Sequence, residues 1–310
     1  MSEVLEIVAP LFGLILAGNL VARLSAFPVT SVTWLVRYVW YLAMPVAVFT
    51  ATLNNPLPDA GDARMLIAYF LPLAICFLLA IQIGKRAFGQ VANVRGVYGY
   101  SACFGNIIYM GLPVVQLAFG DEGFATLVLI ISIHELFLIT LTMIVRRGDS
   151  GNPGQVVAQA VGETLRVPLV LAILAGFLGA SQGWALSGLA RDAADLIGPT
   201  AAPIGLFAVG AVLARVSIGG DIAQATVVTG LKMILLPLLV WASAAMMDID
   251  SATTAVMVIV ASLPTGLNAF NMAQKYGAAP RRVATTILLG TALTIVALPA
   301  LLWYVTGATG

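Results

Sequence analysis

Two short polar interruptions of apolar stretches contain the residues best suited to chemistry. One spans residues 103–107 (Cys-Phe-Gly-Asn-Ile) and the other spans residues 264–268 (Pro-Thr-Gly-Leu-Asn). Proline and glycine break helices, whereas asparagine and threonine carry neutral hydrogen-bonding groups. A broken helix exposes N–H groups where its second half begins, and the helix dipole favours negative charge there. The pattern predicts a carboxylate-binding site that has no charge of its own.

Three ionisable residues, His134, Glu135 and Lys232, also fall inside apolar stretches. Ionisable side chains are costly within a bilayer and are candidates for function. An ion pair between Glu135 and Lys232 would offset the desolvation of both groups, and such a pair serves either ion coupling or structure. We predict that all three are candidate ion-coupling residues.

The sequence lacks the common catalytic motifs of enzymes. His134-Glu135 begins like a zinc-protease motif, but residue 138 is leucine and His134 is the only histidine. The sequence contains no nucleophile elbow, no Walker loop and no Cys-x-x-Cys pair. We therefore predict a protein that is not an enzyme, with no catalytic residue, no metal site and no cofactor.

The composition excludes a water-soluble fold. Only 9% of the 310 residues are charged and 60% are hydrophobic, whereas soluble domains are about 25% charged. The net charge of +1 gives no basic face for nucleic acid. Cys76 and Cys103 both lie in apolar stretches, where inert buried thiols are expected. The chain is predicted to be an all-α integral membrane protein.

Ten apolar stretches are long enough to cross a bilayer. The predicted helices are 4–23, 30–53, 64–86, 95–118, 121–146, 158–180, 190–214, 222–246, 251–276 and 281–306. With the N-terminus outside, ten lysines and arginines fall inside, and only Arg64 and Arg191 fall outside. The positive-inside rule therefore predicts that both termini face out, and we expect the membrane to be the bacterial inner membrane.

Similar segments recur at an offset of 158 residues. Residues 15–18 (Ile-Leu-Ala-Gly) recur at 173–176, and Pro45 with Phe49 recurs as Pro203 with Phe207. The predicted organisation is a first repeat at 1–147, a short cytoplasmic linker at 148–157 and a second repeat at 158–310. Five helices per repeat force the second repeat to be inverted, which is typical of secondary transporters. At the same offset, Pro264 corresponds to Asn106, so the two interruptions occupy equivalent positions in the two predicted repeats.

Three motifs resemble those of the auxin efflux carrier family, which includes bacterial malonate and malate permease-like members. They lie at residues 106–113, at 203–210 and at 263–276, and the resemblance covers essentially the whole chain. Two departures are visible. Gly105 stands where plant members usually have proline, and the long hydrophilic central loop of the plant exporters is absent, so regulation by phosphorylation there is not expected.

The resemblance implies a fold like that of the bile-acid and sodium/proton antiporter proteins, in which broken helices four and nine cross at the substrate site. Helices one, two, six and seven would form a scaffold that also mediates dimerisation. Helices three to five and eight to ten would form a moving transport domain. The partners implied are a small organic anion, the lipid bilayer and a second copy of the chain.

The predicted function is secondary transport of small organic anions, such as dicarboxylates or auxin-like acids, by elevator-type alternating access. A cation/proton antiporter of the same architecture is one alternative, although it would normally place carboxylates at the crossing. A channel or membrane receptor is the other. The predicted substrate-binding residues are Asn106, Ile107, Pro264, Thr265, Gly266, Leu267, Asn268, Tyr41, Phe49 and Phe207.

Overall fold

A computed structural model describes residues 2–24, 27–54, 60–147, 154–155, 158, 161–162, 165–214 and 221–309. Within these ranges the regular structure is helical, and the extended residues contribute one isolated bridge, between Gly105 and Thr265. The prediction of an all-α protein is therefore confirmed for the described residues. The predicted linker at 148–157 lies outside them, except for residues 154 and 155.

The helices follow the apolar stretches closely. Their bounds are Ser2–Ala22, Val29–Tyr38, Met44–Asn54, Ala60–Arg86, Ala92–Cys103, Leu112–Arg147, Pro168–Ser181, Gly188–Ile197, Ala201–Leu213, Ile222–Gly230, Leu236–Met246, Ser251–Ser262, Leu267–Lys275 and Pro280–Thr309. Wider π-helical turns lie at Val39–Ala43, Ile107–Gly111 and Leu231–Leu235, and a tight 3-10 turn lies at Gly198–Thr200.

Six helical spans among the described residues are long and apolar enough, by length and composition, to cross a membrane. They are Thr30–Asn54, Asp62–Arg86, Ile107–Arg146, Gly188–Leu213, Ile222–Met246 and Pro280–Val305. Ala9–Ala22, Pro168–Ser181 and Ser251–Ser262 are shorter apolar helices. These spans support an integral membrane protein, while ten crossings and an inverted repeat stay predictions.

Two boundaries differ from the sequence prediction for local reasons. The fifth predicted helix does not begin separately, because one helix runs from Leu112 to Arg147 and is interrupted only at Gly120. Gly120 has φ 60° and ψ −153°, a conformation that residues with a Cβ atom rarely adopt. The sixth predicted helix is broken at residues 165–167, and its apolar part begins at Pro168, since proline is favoured in the first turn of a helix.

The π-helical turns at Val39–Ala43 and Leu231–Leu235 each lie immediately before a proline-containing helix. Pro45 and Pro237 have no N–H group, so each leaves a carbonyl one turn earlier without its helical donor. A wider turn accommodates that loss. Next to Pro237, the thiol of Cys76, which is buried and free, donates to the Leu231 carbonyl oxygen at 3.6 Å.

Asp221 begins the helix Ile222–Gly230 as its N-cap. Its carboxylate accepts a hydrogen bond from the backbone N–H of Gln224 at 3.1 Å. This backbone hydrogen bond stabilises the ionised form and lowers the pKa of Asp221. The aspartate thus satisfies one of the N–H groups that every helix start leaves free.

The described chain separates into two compact units. The first comprises Met1–Asp59, Ile108–Ser132 and Glu163–Arg215. In it, helices Ser2–Ala22 and Ala201–Leu213 touch backbone to backbone. A Cβ atom at Gly18 would lie 2.0 Å from the Phe207 carbonyl oxygen, so only glycine fits there. Small residues allow this close approach between helices in membranes.

A second glycine contact in the first unit repeats the first one at the 158-residue offset. Gly176 corresponds to Gly18, and Phe49 corresponds to Phe207. A Cβ atom at Gly176 would lie 2.9 Å from the Phe49 carbonyl oxygen. Two repeats related by a two-fold axis produce such reciprocal contacts. The two contacts correspond at the predicted offset, and the inverted repeat itself stays a prediction.

The second unit comprises Ala60–Ile107, Ile133–Gly162 and Val216–Gly310. Its helix Ala60–Arg86 packs against helices Ala92–Cys103 and Leu236–Met246. Large side chains on these helices are fully buried, among them Tyr69, Leu73, Phe77, Tyr98 and Tyr100. This unit contains both helix interruptions. The division into scaffold helices and transport helices stays a prediction.

Replacing Gly18 with alanine should weaken the helix contact of the first unit. We expect Gly18→Ala to destabilise the protein by about 1–3 kcal/mol, because the added methyl group meets a backbone oxygen that cannot move alone. Thermal unfolding of the purified protein in detergent measures the effect. Gly13→Ala on the same helix is the matched control, since nothing lies within 4 Å of its added carbon. Equal melting temperatures for the two variants would contradict the packing argument.

Candidate functional site

The two helix interruptions of the second unit pair with each other through their backbones. Gly105 and Thr265 form an antiparallel bridge. The Asn106 N–H donates to the Pro264 carbonyl at 2.7 Å, and the Gly266 N–H donates to the Phe104 carbonyl at 3.1 Å. The sequence predicted that such freed groups would line a cavity or bind a ligand. Some of these N–H and carbonyl groups instead form hydrogen bonds with each other, because an unpaired peptide group is costly in an apolar interior.

The hydroxyl group of Thr265 caps the helix Ala92–Cys103. It donates to the Ser101 carbonyl oxygen at 2.9 Å, and Thr265 is only 2% exposed. In a continuing helix, the N–H of Gly105 would bind that oxygen. Because the helix ends at Cys103, the hydroxyl replaces the missing donor. Thr265 was predicted to bind substrate, but in this structure its hydroxyl holds the crossing together.

Lys232 provides a positive charge beside the crossing. Its ammonium group donates to the Ala261 carbonyl oxygen, in the last turn of the helix Ser251–Ser262. A Cβ atom at Gly105 would lie 3.3 Å from the Lys232 nitrogen, so the amine lies directly against Gly105. A cation is favourable at the C-terminal end of a helix. The expectation that the site carries no charge is therefore wrong, because packing brings a distant helix against the break.

Glu135 is bound by neutral groups rather than by Lys232. The Tyr100 hydroxyl donates to its carboxylate at 3.0 Å, and the Asn268 side chain interacts with the same carboxylate. Glu135 and Lys232 do not form a salt bridge. The predicted ion pair is thus wrong, because the lysine is used by a helix-end carbonyl and the glutamate by two uncharged donors.

His134 lies among aromatic rings and is 2% exposed. The ring centroids of Tyr69, Phe70 and Phe104 lie 5.7–6.3 Å from the imidazole. Neither imidazole nitrogen has a hydrogen-bond partner among the described residues. The same part of the chain contains no group of three or more His, Cys, Asp or Glu residues that could hold a metal ion. A role for His134 in ion coupling stays a prediction.

Asn106 carries the polar side chain at the crossing that is open to a ligand. Its backbone N–H is bound to the Pro264 carbonyl, whereas no hydrogen bond of its side-chain amide is seen within the part of the chain that the structure describes. The residue is only 4% exposed. Ile107 and Leu267 begin the two downstream halves, where N–H groups lack helical acceptors. These groups can together bind an anion's oxygen atoms.

The structure brings seven of the predicted binding residues together in the second unit. They are Asn106, Ile107, Pro264, Thr265, Gly266, Leu267 and Asn268. The three aromatic candidates belong to the first unit: Tyr41 is 64% exposed, Phe49 is half-buried, and Phe207 packs edge-to-face on Phe27 at 6.1 Å. Their role at the site stays a prediction.

Tyr100 and one cavity were not predicted from the sequence. Tyr100 stacks on Phe104 at 4.9 Å and binds Glu135, but nothing in its sequence context marks it among buried aromatic residues. The cavity lies in the first unit and has a volume of about 730 Å³. Three distant segments line it, including the carboxylates of Asp121 and Asp195. Those carboxylates make it a poorer anion site than the crossing.

Comparison with known proteins establishes the family. The family model described as "Membrane transport protein" matches residues 3–304. The chain therefore belongs to this family of membrane transporters, the auxin efflux carrier family, and is not an enzyme.

Two relatives match along nearly their whole length. One is named "Putative malonate transporter" and comes from Rhizobium meliloti (strain 1021); it is 28% identical over 98% of this chain and 97% of that protein. Another, named "Uncharacterized transporter", comes from Methanothermobacter thermautotrophicus and is 24% identical over 97% of both chains. The similarity thus extends through both units.

Removing the Thr265 hydroxyl should destabilise the crossing. In Thr265→Val the side chain keeps its shape, but the buried Ser101 carbonyl loses its donor, so we expect a cost of about 1–3 kcal/mol. Thr265→Ser keeps the hydroxyl and should recover most of that loss. Denaturation in detergent provides the measurement, and a valine variant as stable as wild type would show that the cap is unimportant.

Proposed function

We propose that this protein is a secondary transporter of small dicarboxylates, and that it binds a substrate carboxylate at the crossing of its two interrupted helices. The observation that carries the proposal is Asn106, a residue only 4% exposed whose backbone N–H is bound at the crossing and whose side-chain amide makes no hydrogen bond among the described residues. A ligand that supplies acceptor atoms can bind this amide.

The electrostatics of the crossing favour an anion over a cation. Lys232 places a buried ammonium group against Gly105. The helix Leu267–Lys275 begins at the crossing and points its positive dipole end toward it. Glu135, a carboxylate of the same unit, already interacts with Tyr100 and Asn268. A cation/proton antiporter is therefore the less favoured function.

The name of one relative suggests the substrate class. Malonate carries two carboxylates on a single carbon, and it serves as the probe for the experiments below. One carboxylate would bind at Asn106 and the downstream helix starts.

We extend the proposal to alternating access of the elevator type, in a homodimer in the bacterial inner membrane with both termini outside. The moving part would carry the crossing, and the scaffold would be built from helices one, two, six and seven. The glycine contacts of Gly18 and Gly176 support a rigid scaffold, because backbone contact leaves little freedom to slide.

Asn106→Ala should weaken malonate binding roughly tenfold to a hundredfold, since a hydrogen bond to a charged group contributes about 1.5–3 kcal/mol. Isothermal titration of malonate into the purified protein in detergent measures the affinity. Asn54→Ala is the control, because Asn54 is exposed and lines the cavity of the first unit. Wild-type affinity in Asn106→Ala together with lost affinity in Asn54→Ala would move the site to that cavity.

Transport itself is tested in proteoliposomes. Vesicles that contain the protein and are loaded with unlabelled malonate should accumulate labelled malonate by counterflow. The reason is that the binding site carries unlabelled malonate out and then returns with labelled malonate bound. A channel passes substrate down its gradient without this exchange. The absence of counterflow in vesicles that still conduct malonate would support the channel alternative.

A further inference from the structure

The Glu135 carboxylate interacts with the side chain of Asn268. The amide of Asn268 is a hydrogen-bond donor at the edge of the proposed substrate site. Asn268 lies two residues beyond Gly266 of the crossing, and its side chain binds Glu135. Both residues are partly exposed. A substrate carboxylate that binds near Asn268 would therefore meet a protein carboxylate already in place.

The groups that face Glu135 are neutral. Helix Ala92–Cys103 contributes Tyr100, and helix Leu267–Lys275 contributes Asn268. His134 precedes Glu135 on its own helix but lies among aromatic rings. Lys232 donates to a helix-end carbonyl instead.

The charged group of Arg146 is connected to Tyr100 through Tyr276. Tyr276 interacts electrostatically with Tyr100, and the guanidinium group of Arg146 stacks on the Tyr276 ring at 3.3 Å. This cation has its own partners, since Arg146 also donates to Asn93 at 2.7 Å. Among the described residues, the ionised Glu135 carboxylate therefore has no salt-bridge partner that would hold it ionised when a second anion arrives.

We propose that Glu135 couples anion binding to proton uptake, so that each dicarboxylate is carried together with one proton. This inference rests on the proposed function, because it concerns the same site. Two carboxylates that share a site with little water cannot both stay ionised without a strong penalty. Protonation of Glu135 removes the penalty and frees the donor that the substrate needs.

In the empty protein, the ionised Glu135 carboxylate accepts hydrogen bonds from the Tyr100 hydroxyl and the Asn268 amide. When the anion enters, the hydrogen bond between Asn268 and Glu135 breaks, and the amide N–H donates to the substrate oxygen. A proton from water on the open side forms an O–H bond on the Glu135 carboxylate. Release of substrate on the other side reverses each change.

Proton uptake is measured by isothermal titration of malonate in buffers with different ionisation enthalpies. The wild-type protein should take up close to one proton per malonate between about pH 7 and 9, a range well above ordinary carboxyl pKa values. By linkage, its affinity should fall by up to about tenfold per pH unit as the pH rises. Wild-type binding without proton uptake would overturn the inference while leaving the proposed function intact.

Glu135→Gln keeps the shape and hydrogen-bonding capacity of the side chain but cannot take up a proton. We expect this variant to bind malonate with no proton uptake and with an affinity that does not vary with pH. Asp121→Asn, at an exposed carboxylate in the first unit, should behave as wild type. Wild-type proton uptake in Glu135→Gln would assign the proton to another group and overturn the inference.

Tyr100→Phe provides a second test that does not depend on the folding of the glutamine variant. It keeps the ring stacked on Phe104 and removes one donor to the Glu135 carboxylate. Loss of that donor makes the ionised form less favourable, so the pH dependence of malonate affinity should shift to higher pH. An unshifted profile would overturn the inference, and failure of wild-type protein to bind any dicarboxylate would overturn the proposed function as well.

Discussion

Main-chain hydrogen bonding between the two interrupted helices is the constraint on which the rest of the second unit depends. Hydrocarbon offers no partner to a free peptide group, so a helix can break there only if another part of the protein supplies the partners. Asn106 and Pro264 do this for each other, as do Gly266 and Phe104. The pairing also explains glycine at position 266, where a Cβ atom would lie 2.9 Å from the Gly105 carbonyl oxygen.

The buried charges follow from the same constraint. Each upstream half-helix ends with a carbonyl that has lost its donor, and the protein uses the Thr265 hydroxyl for one and the Lys232 ammonium for the other. Lys232 is therefore not free to neutralise Glu135, which is bound by uncharged groups. In the proposed function, the cation fixed near the crossing attracts the anion, and the carboxylate with neutral partners responds to protons. This arrangement fits the proposed transport of dicarboxylates better than an ion pair would.

The first unit is held by a different device. Gly18 and Gly176 let their helices meet carbonyl groups of Phe207 and Phe49 directly, and the two contacts correspond at an offset of 158 residues. Dispersion forces between close backbones, rather than the hydrophobic effect, stabilise helix pairs in lipid. The two units thus differ in construction: one is held by tight glycine contacts, and the other contains irregular backbone that needs polar partners.

Composition and local pattern by themselves determined that the chain is a helical membrane protein interrupted near Asn106 and Pro264. These features are local, because apolar length, proline and glycine act within one or two helical turns. Only the tertiary structure decided which groups the breaks would bind. The sequence suggested that Lys232 would pair with Glu135, but packing placed Lys232 at Ala261 and brought Tyr100 and Asn268 to Glu135. Partner choice depends on which distant helices pack together, and apolar sequence carries almost no information about that.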